Sequence, residues 1–520
     1  MRKGNLWALL LALVMLMTTP GAYAEESFSM AGYDDEATGH VWTENRFFER
    51  MEALTGVELD LEQYTTADAW ANAKKQMLAG EKELPDVLFK ANLSPQELQE
   101  WYAAGKLYDL RDYIAEDSNL RALLDAHPEW VQAISMPDGA IVALPYIDEL
   151  QFNNGLWINQ QWLRRFGLEM PTTAEELTDV LRVFRDNDAN GNGKRNDEVP
   201  LTFSSLWDLR FLLHAFGVNA NDYYVTMDEN GTVYEILTSD ANREFLTWLH
   251  QLWEEKLLDR YGFTGMRSMG AKPEEGTDVI YGVMFASSPV DVVHVSKVEQ
   301  YVLLEPLWYD NAQVYRDLTG DLVRGTFAIT TACEDPAAMM RWVDHLYCEE
   351  GFILAACGEA DEEFEYIEGP DGPWMWTDAG ETLTKVTLPQ GTLHGDASMP
   401  GWASVDFQKR LDESATQHIL TELEKLRAID SMPYPMVWLT AAQQQRMNEQ
   451  ALNIALYAEQ QMVWFVAGDV ELNDETWNEF CQTVKALGVD EMVSIWQAAA
   501  DARLPIEQAV LTAPASANEP

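Results

Sequence analysis

Short apolar runs alternate with longer amphipathic segments along most of this chain, and the alternation limits the folds open to it. Strand-like runs span Phe28 to Tyr33, Leu84 to Phe89, Tyr301 to Leu307 and Gly325 to Thr330. Strands separated by helical segments favour parallel crossovers, with helices packed on the faces of a sheet. A chain of 520 residues also exceeds the usual size of one domain. The sequence therefore predicts an α/β protein with more than one domain.

Helix signals are clearest in three places. Thr173 precedes an apolar periodic segment and is followed three residues later by Glu176, which is the order of a capping box. The segment from Asn242 to Leu258 places its apolar residues on one face. From about Thr440 to Arg503 the chain reads almost wholly helical. We therefore expect a helical region near the C-terminus.

Net charge restricts the partners of this protein. The sequence has 86 Asp and Glu residues against 35 Lys and Arg, a formal net charge of −51. Such a charge repels phosphate backbones and anionic lipid headgroups. We therefore expect no binding to nucleic acid or to a membrane surface.

The first residues have the pattern of a secretory signal peptide. Arg2 and Lys3 are basic, Leu6 to Met17 is apolar, and Ala22 to Ala24 offers small residues for cleavage. We predict a signal peptide at 1–24 and a secreted protein associated with the cell envelope; the alternative is an uncleaved anchor. No cysteine lies near this segment to carry a lipid. The tail 512–520 is predicted to be disordered.

The cysteines are too sparse for a disulfide framework in a chain of this length. They are Cys333, Cys348, Cys357 and Cys481. Cys348 and Cys357 flank an apolar stretch and could pair, or both could remain free thiols. We expect a fold that does not depend on disulfides.

A dense run of oxygen-bearing residues follows the capped helix and suggests a calcium site. Ca²⁺ takes six to eight oxygens, and a loop with side-chain oxygens at alternate positions can supply them. One register starts at Asp186, with Gly191 at the turn and Asp197 at the twelfth position. The other starts at Asp188, turns at Gly193 and ends early. A solvated turn is the remaining interpretation. Any calcium here would be structural, because the loop closes on itself and leaves no open coordination position.

Known catalytic motifs are absent from the sequence. It has no His-Glu-x-x-His, no Gly-x-Ser-x-Gly and no phosphate-binding glycine loop, and its eight histidines show no ligand spacing. A glycosidase carboxylate pair remains open among so many acidic residues. The 19 tryptophans are unusual, since aromatic faces complement the C–H faces of sugars. We predict a binding protein and no enzyme.

Several segments, in chain order, resemble the extracellular solute-binding proteins of family 1, the sugar receptors of ABC importers. The likeness is to the long Gram-positive subgroup related to alginate and oligosaccharide binders. It lies in 83–89, 155–159, 162–163, 167–168, 171–173, 188–200, 346–352, 472–474 and Trp477. The calcium loop is one residue longer than the usual pattern, and the lipid-attachment cysteine of Gram-positive members is missing.

The resemblance implies a two-lobed α/β fold of the periplasmic-binding-protein type II, with a hinge and a helical C-terminal region. One lobe would comprise 25–147 and 323–400, the other 148–322 and 401–511. The chain would cross between them near 145–146, 322–324 and 400. The lobes would close on a carbohydrate, which the permease of an ABC importer receives. A monomer is expected.

The resemblance also implies a set of site residues. Those predicted to contact ligand are Trp42, Glu44, Tyr146, Trp207, Phe285, Ser287 and Trp402. It favours the second register of the calcium loop, whose ligands are Asp188, Asn190, Asn192, Lys194, Asp197 and Glu198. The alternatives are a secreted carbohydrate-active enzyme and a receptor for a non-sugar ligand such as a peptide.

Overall fold

A computed structural model describes residues 26–149, 155–203, 209–262, 274–316, 321–378, 391–393 and 398–511. The predicted signal peptide, the predicted disordered tail and Trp207 lie outside these ranges. The predicted strands and helices that fall within them can be compared with the structure directly.

The strands are listed here in chain order. They are β1 (Glu26–Tyr33), β2 (Val57–Tyr64), β3 (Val87–Phe89), β4 (Leu144–Ile147), β5 (Gly155–Asn159), β6 (Val199–Thr202), β7 (Val225–Met227), β8 (Val233–Glu235), β9 (Tyr281–Ala286), β10 (Tyr301–Leu304), β11 (Tyr315–Arg316), β12 (Leu322–Ile329), β13 (Phe364–Tyr366), β14 (Trp374–Trp376), β15 (Gly401–Trp402) and β16 (Asp430–Ser431).

The α-helices follow in the same order. They are α1 (Arg46–Thr55), α2 (Ala67–Ala79), α3 (Pro95–Ala103), α4 (Asn119–Ala126), α5 (Pro128–Ile134), α6 (Gln160–Phe166), α7 (Ala174–Asp186), α8 (Asp240–Glu254), α9 (Pro336–Asp344), α10 (Glu349–Ala356), α11 (Val405–Lys409), α12 (Ser414–Leu423), α13 (Ala441–Ala467), α14 (Asp474–Ala486) and α15 (Val489–Asp501). Short 3₁₀ helices occur at Glu36–Thr38, Trp42–Glu44, Leu110–Tyr113, Arg210–Phe216, Pro289–Asp291, Val295–Gln300, His345–Tyr347, Glu424–Leu426 and Ile506–Gln508.

Two mixed sheets organise the molecule. The first sheet has the order β15-β4-β12-β3-β1-β2, and the second has the order β10-β5-β9-β6. In the first sheet β1 runs parallel to both β2 and β3, as the alternating pattern predicts. The chain returns to this sheet after building the second one, and the returning strand β12 is antiparallel to β3 and β4.

Glycine is required where β12 bends. The pairing of β12 with β4 shifts register between Val323 and Phe327. Gly325 lies inside this irregularity with φ +74°, and an added Cβ would lie 2.1 Å from the carbonyl oxygen of Leu93. No L side chain fits that position without displacing backbone. The bend therefore depends on this one residue.

The capped helix confirms its sequence signal with one difference. Helix α7 begins after Thr173, whose hydroxyl accepts a hydrogen bond from the Glu176 backbone at 3.2 Å. The Glu176 carboxylate returns to the backbone N–H of Thr172, at 2.8 Å, and not to that of the cap residue. The Thr172 hydroxyl donates to the same carboxylate at 2.7 Å, and it lowers the pKa of Glu176 together with this backbone bond. The hydrogen bonds at the helix N-terminus resemble a capping box, but the carboxylate reaches back one residue further than in that motif.

Each sheet has its own hydrophobic core. Helices α13, α14 and α15 pack with the second sheet through residues such as Met462, Phe480 and Met492. They form the predicted helical C-terminal region, interrupted twice between 441 and 501. The residues that flank this region pack elsewhere, since Trp438 and Leu511 lie in cores of the first sheet.

Packing near residue 400 differs from the predicted lobe division. Strand β15 pairs with β4 of the first sheet, and Phe407 and Leu411 pack with Tyr146. Residues 401–411 therefore remain with the first sheet, whereas the prediction assigns them to the second lobe. The reason is that two backbone pairings attach β15 to the edge of β4.

An aromatic cluster stabilises the first sheet. Trp342 is fully buried, with ring centroids 5.8 Å from Phe89 and 6.4 Å from both Phe47 and Phe327. We expect Trp342→Ala to lower the free energy of unfolding by about 3–5 kcal/mol, because it opens a cavity in a close-packed core. Denaturant titration measures this. Leu452→Ala, at a side chain that is 62% exposed, should change it by less than about 0.5 kcal/mol. Equal effects of the two substitutions would contradict the expectation.

All four cysteines are free thiols. Cys348 and Cys357 stand at the two ends of α10, so the helix between them keeps them apart. Burial raises the pKa of Cys357 to about 12. Among the described residues, no helix combines the length and the apolar character needed to cross a membrane.

Candidate functional site

Three strands at one edge of the first sheet mark the candidate site. Strand β4 lies between β15 and β12, and Tyr146 on β4 pairs with Gly401 on one side and Val323 on the other. The chain leaves the first sheet after β4 and returns to it at β12. The predicted crossings near 145 and 322 therefore lie on adjacent strands, whereas after residue 400 the chain stays with the first sheet. The edge formed by β15, β4 and β12 is called the crossing edge.

Trp402 and Tyr146 lie on adjacent strands at this edge, but their side chains pack in different cores. Trp402 pairs with Ile147, the neighbour of Tyr146, and is partly buried against the core of the first sheet. Its indole Nε1 is buried and has no hydrogen-bond partner among the described residues. A buried indole N–H normally has an acceptor. Trp402 thus keeps an unused donor, whereas Tyr146 is 6% exposed and packs with Phe407. Contact of either residue with ligand stays a prediction.

Two further residues that are predicted to contact ligand lie at the end of β9 in the second sheet. Phe285 is 1% exposed, and its ring centroid lies 5.5 Å from that of Phe211. Ser287 is exposed and donates a hydrogen bond to Asp291 at 2.6 Å. In this conformation Phe285 supports the site from the core, and only Ser287 presents a polar group to solvent. Their contact with ligand stays a prediction.

The side chains of Trp42 and Glu44 differ in solvent exposure. Glu44 is exposed, but Trp42 is 1% exposed and its indole N–H donates to Asp34 at 3.0 Å. Trp42 therefore has no free face for a ligand here, because Asp34 and the core of the first sheet occupy its surroundings. Trp207, in the segment 204–208, lies outside the described residues.

A buried charged cluster beside Trp42 is not predicted by the sequence analysis. Asp34 contacts His40 Nδ1 at 2.7 Å and Lys90 Nζ at 3.1 Å. Burial acts to raise the pKa of Asp34, but the bond to His40 and the charge of Lys90 bring it down to about 2. Asp34 and Lys90 directly follow β1 and β3, which are parallel neighbours, and this is the signal that could have found them.

Replacing this buried carboxylate should be costly. We expect Asp34→Asn to lower the free energy of unfolding at pH 7 by about 3–5 kcal/mol, since it breaks a buried ion pair. The depressed folded pKa means that the contribution of Asp34 is present above the unfolded value of 3.8 and is lost as the pH falls towards 2. Denaturant titrations between pH 7 and 2 should therefore show the two proteins converging below about pH 4. A pH-independent difference would contradict this assignment.

The candidate calcium loop is folded around its own acceptors. Asp188 accepts hydrogen bonds from the backbone N–H groups of Gly191 and Gly193, at 2.8 and 3.0 Å. Asn192 Oδ1 accepts one from the backbone of Lys194 at 2.8 Å. Both glycines have positive φ, which turns the chain back on itself. The oxygens of the second register thus line one short loop.

Two carboxylate oxygens of this loop lack donors. Asp197 Oδ1 and Glu198 Oε2 are buried and accept no hydrogen bond from the described residues. Burial raises the pKa of Glu198. The amide nitrogen of Asn192 lies 2.8 Å from Asp197 Oδ2 and 3.1 Å from Asp278 Oδ2. Acceptor oxygens without donors, among carboxylates and an amide, fit a hard cation.

In the described part of the chain, the calcium loop included, no group of three or more His, Cys, Asp or Glu side chains is arranged to hold a metal ion. The predicted ligands of the calcium loop also include amide and carbonyl oxygens, at Asn190, Asn192 and Lys194. A groove of about 490 Å³ lies on the second sheet, where it includes Met170, Trp308 and Lys425. Its lining contains no residue of β4, β12 or β15, so it is not the site at the crossings.

Comparison with known sequences finds relatives that match only part of the chain. No family model matches the chain. It is 30% identical over 318 residues to the fructooligosaccharide ABC transporter substrate-binding protein FusA of Streptococcus pneumoniae, which is 58% of each chain. It is 26% identical over 217 residues to lipoprotein LipO of Bacillus subtilis, 40% of each chain. The chain thus spans little more than half the length of the first of these relatives, and less of the second.

Solved structures match over almost the whole chain. A solute-binding protein of Bifidobacterium longum infantis that binds human milk oligosaccharides has a TM-score of 0.75 at 21% identity, over 92% of this chain and 99% of that one. An EF-hand mutant of S. pneumoniae FusA with fructo-nystose has a TM-score of 0.67 at 22% identity, over the same shares. The predicted fold class and the predicted resemblance are confirmed: this chain has the two-lobed fold of the extracellular solute-binding proteins of ABC transporters, and its relative FusA and its structural neighbours are proteins of that kind.

Proposed function

We propose that this protein is the substrate-binding protein of an ABC importer and that it captures an oligosaccharide between two lobes. The fold and the relatives support this, and one observation carries it to a site. Trp402, on a strand at the crossing edge, has a buried indole N–H with no partner among the described residues. A sugar presents both the C–H face that stacks on indole and the hydroxyl that accepts from it.

We place the lobes on the two sheets. The division follows 25–147 with 323–400 and 148–322 with 401–511, except that 401–411, Trp438 and Leu511 pack with the first sheet. A ligand that contacts both lobes stabilises the closed form by its differential affinity for that form. Tyr146 and Trp402 would act from one lobe, and Ser287 from the other. The function needs binding and release only, and no catalytic step.

Calcium is the proposed structural ion. Asp188, Asn190, Asn192, the Lys194 carbonyl, Asp197 and Glu198 would hold it. Two observations support this. The structural neighbour FusA has an EF-hand, and the buried oxygens of Asp197 and Glu198 have no donor among the described residues. The ion would fix the connection between α7 and β6, and thereby the position of β9, which pairs with β6.

The remaining assignments concern location and partners. We propose a secreted protein, exported through the segment 1–24 and active as a monomer at the cell envelope. Its macromolecular partner would be the transmembrane permease of the importer. LipO, one of the relatives, is named a lipoprotein.

Thermal unfolding against a panel of neutral oligosaccharides tests the proposal. A ligand that binds only the folded state raises the midpoint, by an amount that corresponds to about 2.7 kcal/mol at a hundredfold excess over Kd. We expect at least one oligosaccharide to do so and to be recovered intact. Hydrolysis of the sugar would instead indicate an enzyme, and the absence of any shift across fructo-, milk and plant-type oligosaccharides would contradict the proposal.

A further inference from the structure

Arg324, near the start of β12, has a buried guanidinium that is only partly satisfied. Its Nη1 donates to the carbonyl oxygen of Val437 at 2.8 Å, and the group lies 4.5 Å from the ring centroid of Trp438. Its Nε and Nη2 are buried and have no hydrogen-bond partner among the described residues. Burial lowers the pKa of Arg324 to about 9. A buried cation without a counter-ion is unfavourable, so this position is suited to an anion.

The two Arg324 nitrogens without a partner among the described residues lie on the same edge of the guanidinium. A guanidinium is planar, and its Nε and Nη2 form one edge that can donate two parallel hydrogen bonds to a carboxylate. The contact with Val437 uses Nη1, on another edge, and Trp438 covers a face. The edge left over in Arg324 is therefore the one that binds a carboxylate in a bidentate manner.

A pocket of about 300 Å³ adjoins Arg324 at the junction of the two sheets. Arg324 comes from the first sheet, whereas Tyr434 and Trp496 belong to the core of the second. The ring centroids of these two residues lie 4.7 Å apart, and Tyr223, 42% exposed, lies 5.3 Å from Trp496. The indole Nε1 of Trp496 is a second buried donor without a partner in the described residues. The pocket thus combines aromatic walls with unused donors.

We propose that this pocket binds a small organic carboxylate, whose two oxygens accept from Nε and Nη2 of Arg324 and whose body packs against Tyr223, Tyr434 and Trp496. None of the lining residues is among those of the proposed oligosaccharide site. Asp222 also lines the pocket, with Arg210 Nη2 at 3.9 Å. Its carboxylate disfavours a more highly charged anion such as phosphate, since like charges repel. Because both sheets contribute walls, the bound carboxylate would also link the two lobes.

Calorimetry and thermal unfolding of the mature chain test this with galacturonate, benzoate and galactose, at equal ionic strength. Galacturonate and benzoate distinguish a sugar acid from another ring-bearing acid, and galactose lacks the charge. We expect at least one of the two carboxylates to bind with 1:1 stoichiometry and to raise the midpoint, whereas galactose at the same concentration does not. Inorganic phosphate should bind at least about tenfold more weakly than that carboxylate.

The conservative variant Arg324→Lys separates recognition from folding. Lysine keeps the charge but cannot donate two parallel bonds, so affinity for the carboxylate should fall at least about tenfold. Arg446→Lys, on the exposed face of α13 beside Glu491, is the matched control and should bind as the parent does. If neither carboxylate binds, or if Arg324→Lys binds as tightly as the control, the inference is wrong. Oligosaccharide binding by Arg324→Lys is measured in parallel, so a failure of the proposed function is seen separately.

Discussion

Replacing Trp402 with alanine should weaken binding of the captured oligosaccharide about 30-fold or more. A central aromatic residue that packs on a ligand and donates to it typically contributes about 2 kcal/mol or more when truncated. Trp402 meets this description because its indole N–H has no protein acceptor among the described residues and its strand lies at the crossing edge. Calorimetry with the oligosaccharide that stabilises the parent protein measures the loss.

Two further substitutions make that result specific. Trp402→Phe keeps an aromatic surface but removes the donor, so affinity should fall by about 5- to 10-fold, the value of roughly one hydrogen bond. Trp308→Ala removes an indole that is 44% exposed in the groove of the second sheet, away from the crossing strands, and should leave affinity unchanged. If Trp308→Ala and Trp402→Ala weaken binding equally, the oligosaccharide does not bind at the crossings.

Removing calcium should produce the second large effect, on stability. At a hundredfold excess over its Kd, an ion bound only by the folded state adds about 2.7 kcal/mol. A chelator should therefore lower the unfolding midpoint by roughly 5 °C or more for a lobe of this size. This loss of stability would come from Asp197 and Glu198, whose buried oxygens accept no hydrogen bond from the described residues.

Variants of the loop assign that effect to its residues. The double variant Asp197→Asn with Glu198→Gln should lose most of the midpoint shift produced by calcium. Asp228→Asn is the control, because Asp228 also accepts from the backbone in a tight turn, at Asn230 and Thr232, outside the calcium loop. A calcium response in the double variant equal to that of the control would contradict the assignment.

Local patterns predicted the elements well where their causes were local. Helix α7 begins where Thr173 predicts it, because its capping hydroxyl is three residues from the N–H it satisfies. The strand predicted from Leu84 begins only at Val87, and Asp86 just before it accepts hydrogen bonds from the backbone and the hydroxyl of Ser29 on β1. Side-chain bonds to a distant strand leave no local trace in the sequence.

The candidate site was less predictable for the same reason. Tyr146 and Trp402 lie on adjacent strands because segments about 250 residues apart pair, which the resemblance to a known family suggests but periodicity does not. The clusters of Asp34 with Lys90, and of Arg324 with Trp438, join residues that each look ordinary alone. The resemblance predicts that Trp42 contacts ligand, but its burial against Asp34 depends on tertiary packing.

Small-angle X-ray scattering of the mature protein tests the central claim, capture by closure of two lobes, most directly. The radius of gyration should decrease when the oligosaccharide that raises the unfolding midpoint is added to saturation. The same concentration should leave Trp402→Ala unchanged. An oligosaccharide that binds the parent protein with 1:1 stoichiometry and leaves the radius of gyration unaltered would contradict the account.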